Sequence, residues 1–127
     1  MTAAATSTDV GHAIEELEEA FAGRVTVVST DSSGAIVRIS QTELGQRWSH
    51  PHGDLWFLIP YHYPDAAIYP YYVTGASPTG GIIGGLQPVD WRGMPATQVS
   101  LRHNGWNPNV DTAVGSVLQT QAWLRTQ

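Results

Sequence analysis

Between Ser100 and Asp111 a hydroxyl, a guanidinium, an imidazole and a carboxylate stand within twelve residues. The run reads Ser100-Leu101-Arg102-His103-Asn104-Gly105-Trp106-Asn107-Pro108, with Asp111 close behind. A serine hydroxyl is a weak nucleophile at neutral pH and needs a base. His103 stands three positions on, and the unperturbed pKa of an imidazole suits that work. No GxSxG elbow surrounds Ser100, which argues against an ordinary serine hydrolase. The plainer alternative is a small polar residue beside a buried tryptophan.

Two other clusters compete for chemistry. His50-Pro51-His52-Gly53-Asp54 has the look of a metallohydrolase motif, in which imidazoles and a carboxylate hold zinc. Leu55 stands where the following histidine belongs, so the expectation is a polar turn between strands and no metal. The other cluster is Pro60-Tyr61-His62-Tyr63-Pro64-Asp65, ending at Pro70, and all five tyrosines fall between positions 61 and 72. Prolines at this density fix φ and remove donors, while tyrosines pack their rings and bond through their hydroxyls. That pattern reads as scaffolding for a strand exit.

Composition narrows the chemistry further. The chain has 127 residues, no cysteine and a net charge of −5, and all six of its basic residues are arginines. Thiol nucleophiles, thiolate zinc sites and disulfides are therefore excluded, as is a Schiff-base lysine. The negative balance argues against nucleic acid. No apolar run approaches the roughly 18 residues of a membrane span, and the opening residues lack the pattern of a signal peptide. The expectation is a cytoplasmic protein with no cofactor.

The elements that must hold these residues follow from periodicity. Residues 1–7 are small and polar and are expected to be frayed. Thr8 or Asp9 can cap a helix in which Val10, Ile14, Leu17 and Phe21 share a face, ended by Ala22-Gly23. Residues 24–30, 35–41, 54–60 and 70–74 read as four strands, with turn chemistry at Asp31-Ser32-Ser33-Gly34. Residues 75–98, rich in glycine and proline, read as a long irregular loop. A last helix, capped by Asn109 or Asp111, sets Val110, Val114, Val117, Leu118, Gln121 and Leu124 roughly on one side. Helices at both ends of a run of strands make an α+β domain, one domain over residues 1–127.

In this order and spacing, the second and third clusters resemble the ubiquitin-conjugating (UBC-like) family. Its members have a helix, a four-stranded antiparallel meander ending in a P-x-x-Y-P…P element, a long active-site stretch, and a helix after W-x-P. Here Pro60-Tyr61-His62-Tyr63-Pro64 with Pro70 matches the first element, and Trp106-Asn107-Pro108 matches the second. The resemblance covers about residues 8–125. The Ser100-x-Arg102-His103 stretch with Trp106, Pro108 and Asp111 is similar to the bacterial branch called family E. Related bacterial proteins are encoded beside activating-enzyme-like and ubiquitin-like proteins, often in anti-phage systems.

Two departures stand out. Val99-Ser100-Leu101 occupies the place of the I-C-L triplet that carries the catalytic cysteine. Gln87-Pro88-Val89 stands where H-P-N is usual, with no asparagine to stabilise an oxyanion. The resemblance therefore implies a transferase that takes a ubiquitin-like modifier from an activating enzyme as an oxyester on Ser100. His103 would be the base, and Arg102 would hold the oxyanion or the modifier's tail. Tyr63, Pro64, Trp106 and Pro108 would support the site, and Asp111 would orient His103 or cap the helix. The alternative it implies is a non-catalytic module that binds a ubiquitin-like protein or an activating enzyme.

Overall fold

A computed structural model describes residues 8–79, 84–100 and 106–126. Helix α1 (Thr8–Ala20) is followed by six strands, β1 (Val25–Asp31), β2 (Gly34–Glu43), β3 (His52–Pro60), β4 (Tyr71–Thr74), β5 (Leu86–Trp91) and β6 (Met94–Val99), and then by α2 (Ala113–Arg125). The strands form one antiparallel sheet in the order β1-β2-β3-β4-β6-β5. The α+β class, the flanking helices and the first four strands follow the sequence expectation. Among the described residues, however, the sheet has six strands where four were expected.

The difference lies in residues 75–98. Much of the expected loop is a hairpin, β5 with β6, in which Leu86 pairs with Val99 and Trp91 with Met94. Its two turn residues, Arg92 and Gly93, have φ of 53° and 78°. Two successive positive φ angles are the tight-turn geometry whose twist matches paired strands. Pro88 lies in β5, the outermost strand, where its missing N–H costs no ladder bond. Pro95 lies in the part of β6 beyond its pairing with β4. The prolines are thus placed where a sheet tolerates them.

Inward-facing residues alternate with outward-facing ones along every central strand. Ala35, Val37 and Ile39 of β2, Leu55, Phe57 and Ile59 of β3, and Tyr71 and Val73 of β4 are buried under the helices. Val10, Ala13 and Leu17 of α1 meet them, with Phe21 just past the helix end. On α2, Ala113, Val117 and Leu124 do the same. The Tyr71 hydroxyl reaches Ser116 Oγ at 2.6 Å, a buried bond that ties sheet to helix. Burial holds the Tyr71 phenol strongly protonated, well above its ordinary pKa.

The start of α2 differs from expectation. Thr112 is the cap, with extended backbone and a side chain that accepts the Gly115 N–H at 3.1 Å. Neither Asn109 nor Asp111 does that work. Val110 therefore precedes the helix and is 71% exposed, and Leu118 faces solvent, so only part of the expected apolar side is buried. Glycine is required at Gly34, where φ is 133° and a Cβ would fall 2.0 Å from the Ile59 carbonyl oxygen.

Candidate functional site

Ser100 is the first residue after β6. Its N–H donates to the Gly85 carbonyl at 2.7 Å, which extends the hairpin ladder by one bond. Gly85 itself has φ of 90°, and a Cβ there would press against the Trp123 ring of α2 at 3.3 Å. The backbone of Ser100 is thus tied to the residue that precedes β5. Val99 faces the core and is fully buried. Ser100 therefore turns to the opposite face, away from α1 and α2, and there it meets Gln98. The Gln98 side-chain amide donates to Ser100 Oγ from Nε2 at 3.2 Å.

Arg102 and His103, the expected oxyanion holder and base, lie outside the described residues. The remaining expected site residues gather at the N-terminus of α2. Trp106 Nε1 donates to the Pro64 carbonyl at 2.7 Å, and its ring lies 6.4 Å from that of Tyr63. The Tyr63 hydroxyl accepts the Ala113 N–H at 2.8 Å, satisfying one of the orphan donors at the helix start. Burial raises the Tyr63 phenol's pKa, partly offset by that donated N–H. Asp111 Oδ2 accepts the Asn107 N–H at 2.7 Å and so closes the turn that contains Pro108. The two motifs, 42 residues apart at the Pro64–Trp106 bond, meet in space. Their groups are spent on holding α2 in place.

The histidine cluster divides. His50 sits in a loop with its Nδ1 3.1 Å from Ser49 Oγ, while His52 and Asp54 belong to β3. Among the described residues no three His, Cys, Asp or Glu side chains are gathered as a metal would need. A cleft of about 590 Å³ opens beside His50, between loops and the β5–β6 hairpin. Ala76, Leu86, Pro88 and Thr97 are among its walls, and Ser100 is not.

The aromatic cluster on the face away from α1 and α2 left no periodic signal in the sequence. Tyr72 stacks on Trp91 at 4.3 Å and 14°, and Trp56 meets Trp91 edge-on at 5.6 Å. Arg38 lies over the Trp56 ring and Arg92 over Trp91. The charge of Arg92, at the hairpin tip, also helps to lower the Asp31 carboxyl, though the Ser33 hydrogen bonds there act more strongly. The ring of Trp91, at the end of β5, thus reaches across the face to residues of β4 and β3. Gln98 was missed for the same reason as the hairpin, since its position two residues before Ser100 matters only in a strand.

Among the described residues no helix is long and apolar enough to cross a membrane. No family model, no curated protein and no solved structure matches this chain.

Proposed function

We propose that this chain is a ubiquitin-conjugating-enzyme-like protein that accepts a ubiquitin-like modifier from an activating enzyme as an oxyester on Ser100. The observation that carries the reading is the meeting of its two motifs. The carbonyl of Pro64 receives the Trp106 indole N–H, and the Tyr63 hydroxyl receives the first N–H of α2. The two sequence elements thus behave as one structural unit. Ser100, at the strand exit, is half-buried and held by its neighbours. In this reading His103 takes the hydroxyl proton and Arg102 faces the developing charge.

The test is an adduct assay with purified chain, activating enzyme, modifier and ATP. The expected adduct resists dithiothreitol and is cleaved by hydroxylamine. Ser100→Ala abolishes it and Ser100→Cys makes it thiol-sensitive. His103→Ala slows its formation by about 10²-fold. The chain has no lysine, so no isopeptide bond to a side-chain amine of its own can imitate the result. With all components active, an adduct that survives Ser100→Ala would sink the oxyester. Modifier binding without any adduct would then leave a non-catalytic binding module.

A further inference from the structure

Gln98 occupies a position that a nucleophilic oxygen can use. It precedes Ser100 by two residues, so in an extended chain both side chains leave the same face of the sheet. The amide Nε2 donates to Oγ at 3.2 Å, an interaction between half-buried groups. Gln98 is itself flanked by Tyr72 of β4 on one side and Gln87 of β5 on the other. A glutamine between two paired strands is positioned by the sheet rather than by a loop. The Ser100 backbone is pinned as well, through its bond to Gly85.

We propose that the Gln98 amide is a catalytic donor to Ser100 Oγ, stabilising the negative charge that this oxygen carries both when it attacks an acyl donor and when it later departs. The proposal rests on the oxyester reading. It differs from an oxyanion hole, because the stabilised atom is the nucleophile's own oxygen and not the carbonyl oxygen of the acyl group. The donor is an acyl thioester on the activating enzyme. In the forward step the Oγ–C bond forms and the C–S bond breaks, and the hydroxyl proton ends on the departing thiolate. In the discharge step an amine forms a bond to the same carbon, the Oγ–C bond breaks, and a proton from the amine returns to Oγ. Charge collects on Oγ in both transition states, so one donor serves both. A hydrogen bond to a charged oxygen is stronger than one to a neutral hydroxyl, so the amide favours the transition state over the resting alcohol.

The experiment measures adduct formation and its discharge by hydroxylamine separately, for the wild-type chain, Gln98→Ala and Gln98→Glu. Both variants should slow both steps by about tenfold to a hundredfold. The glutamate keeps shape and acceptor atoms but cannot donate when ionised, so it should be at least as slow as alanine. Repeating Gln98→Ala on the Ser100→Cys background separates chemistry from architecture. A thiolate forms far more readily than an alkoxide, so there the loss should shrink to about threefold or less. Equal losses on both backgrounds would make Gln98 a structural residue and overturn the proposal. So would formation and discharge within twofold of wild type in Gln98→Ala. Absence of any Ser100-dependent adduct in the wild-type chain would instead overturn the oxyester reading, and this proposal with it.

Discussion

Two rows of residues cross the sheet side by side, one on each face, and they differ in almost everything. The inner row runs Val27, Val37, Phe57, Tyr71, Val99, Leu86. From Val37 to Val99 every member is fully buried, and Leu86 is nearly so. The outer row, shifted by one residue in each strand, runs Thr26, Arg38, Trp56, Tyr72, Gln98, Gln87. It mixes hydroxyl, guanidinium, aromatic and amide groups, and only Trp56 is buried, at 7% exposure. A one-residue slip would exchange the two sets, so the inner row fixes the register and leaves the outer row free to carry chemistry. The same arithmetic puts Gln98, and with it Ser100, on the side away from the helices.

Removing one aromatic from each face should separate the two rows by the largest effect. Phe57 packs at 5.1 Å against Tyr71 in the sealed interior. Phe57→Ala should cost about 3–5 kcal/mol, a large fraction of the stability of an ordinary domain. Trp91, half-exposed, contributes a stacked and an edge contact on the outer face. Trp91→Ala should cost about 1–2 kcal/mol and free the hairpin tip. Urea unfolding reads both. Equal losses would mean that the outer aromatics are a second core and not a surface cluster.

A smaller effect should separate the two neighbouring tyrosines in alkali. Both phenols are pushed up by burial, Tyr71 far more than the partly exposed Tyr72. For a group whose folded pKa is raised, the stabilisation is complete below the unfolded value of about 10 and is lost as pH climbs beyond it. The wild-type chain should therefore lose stability steeply above about pH 10. Tyr71→Phe should flatten that loss, although it lowers stability at neutral pH by about 1 kcal/mol through the lost Ser116 bond. Tyr72→Phe should flatten it much less. Unfolding midpoints between pH 8 and 11 check this, and identical slopes for the two variants would contradict the difference in burial.

The inner row was legible in the sequence because burial writes a period. Alternating apolar residues announced β2, short apolar runs announced β3 and β4, and the 3.6-residue spacing of Val10, Ile14, Leu17 and Phe21 announced α1. The β5–β6 hairpin was hidden because Gly93, Pro88 and Pro95 read as breakers. A breaker in composition can be a turn or an edge in space. The Arg92-Gly93 pair was the available signal, since a residue followed by glycine between two short β-prone runs can form a tight turn. A scaffolding role was readable for Tyr63 from proline density and ring chemistry, and for Trp106 only through the family resemblance. Which backbone groups they would satisfy was not, because those partners lie 50 and 42 residues away. The Gln98–Ser100 pair needed the strand first.

The smallest expected effect lies in how α2 is seated over the inner row. The sequence pointed to Asn109 or Asp111 as the cap, and the structure gives the role to Thr112, whose Oγ1 accepts the Gly115 N–H. A lost threonine cap costs about 1 kcal/mol, because one of the four orphan donors at a helix start must return to water. Here the Tyr63 hydroxyl still serves the Ala113 N–H, so the helix keeps part of its cap. Thr112→Ala should accordingly cost about 1 kcal/mol or slightly less. Asp111→Ala removes only the bond to the exposed Asn107 N–H and should cost about half as much, within the range of ordinary surface substitutions. Thermal unfolding of the two variants ranks them directly. If Asp111→Ala proves the costlier, its carboxylate holds more than the Pro108 turn, and the orienting role that the sequence offered it toward His103 becomes the better account.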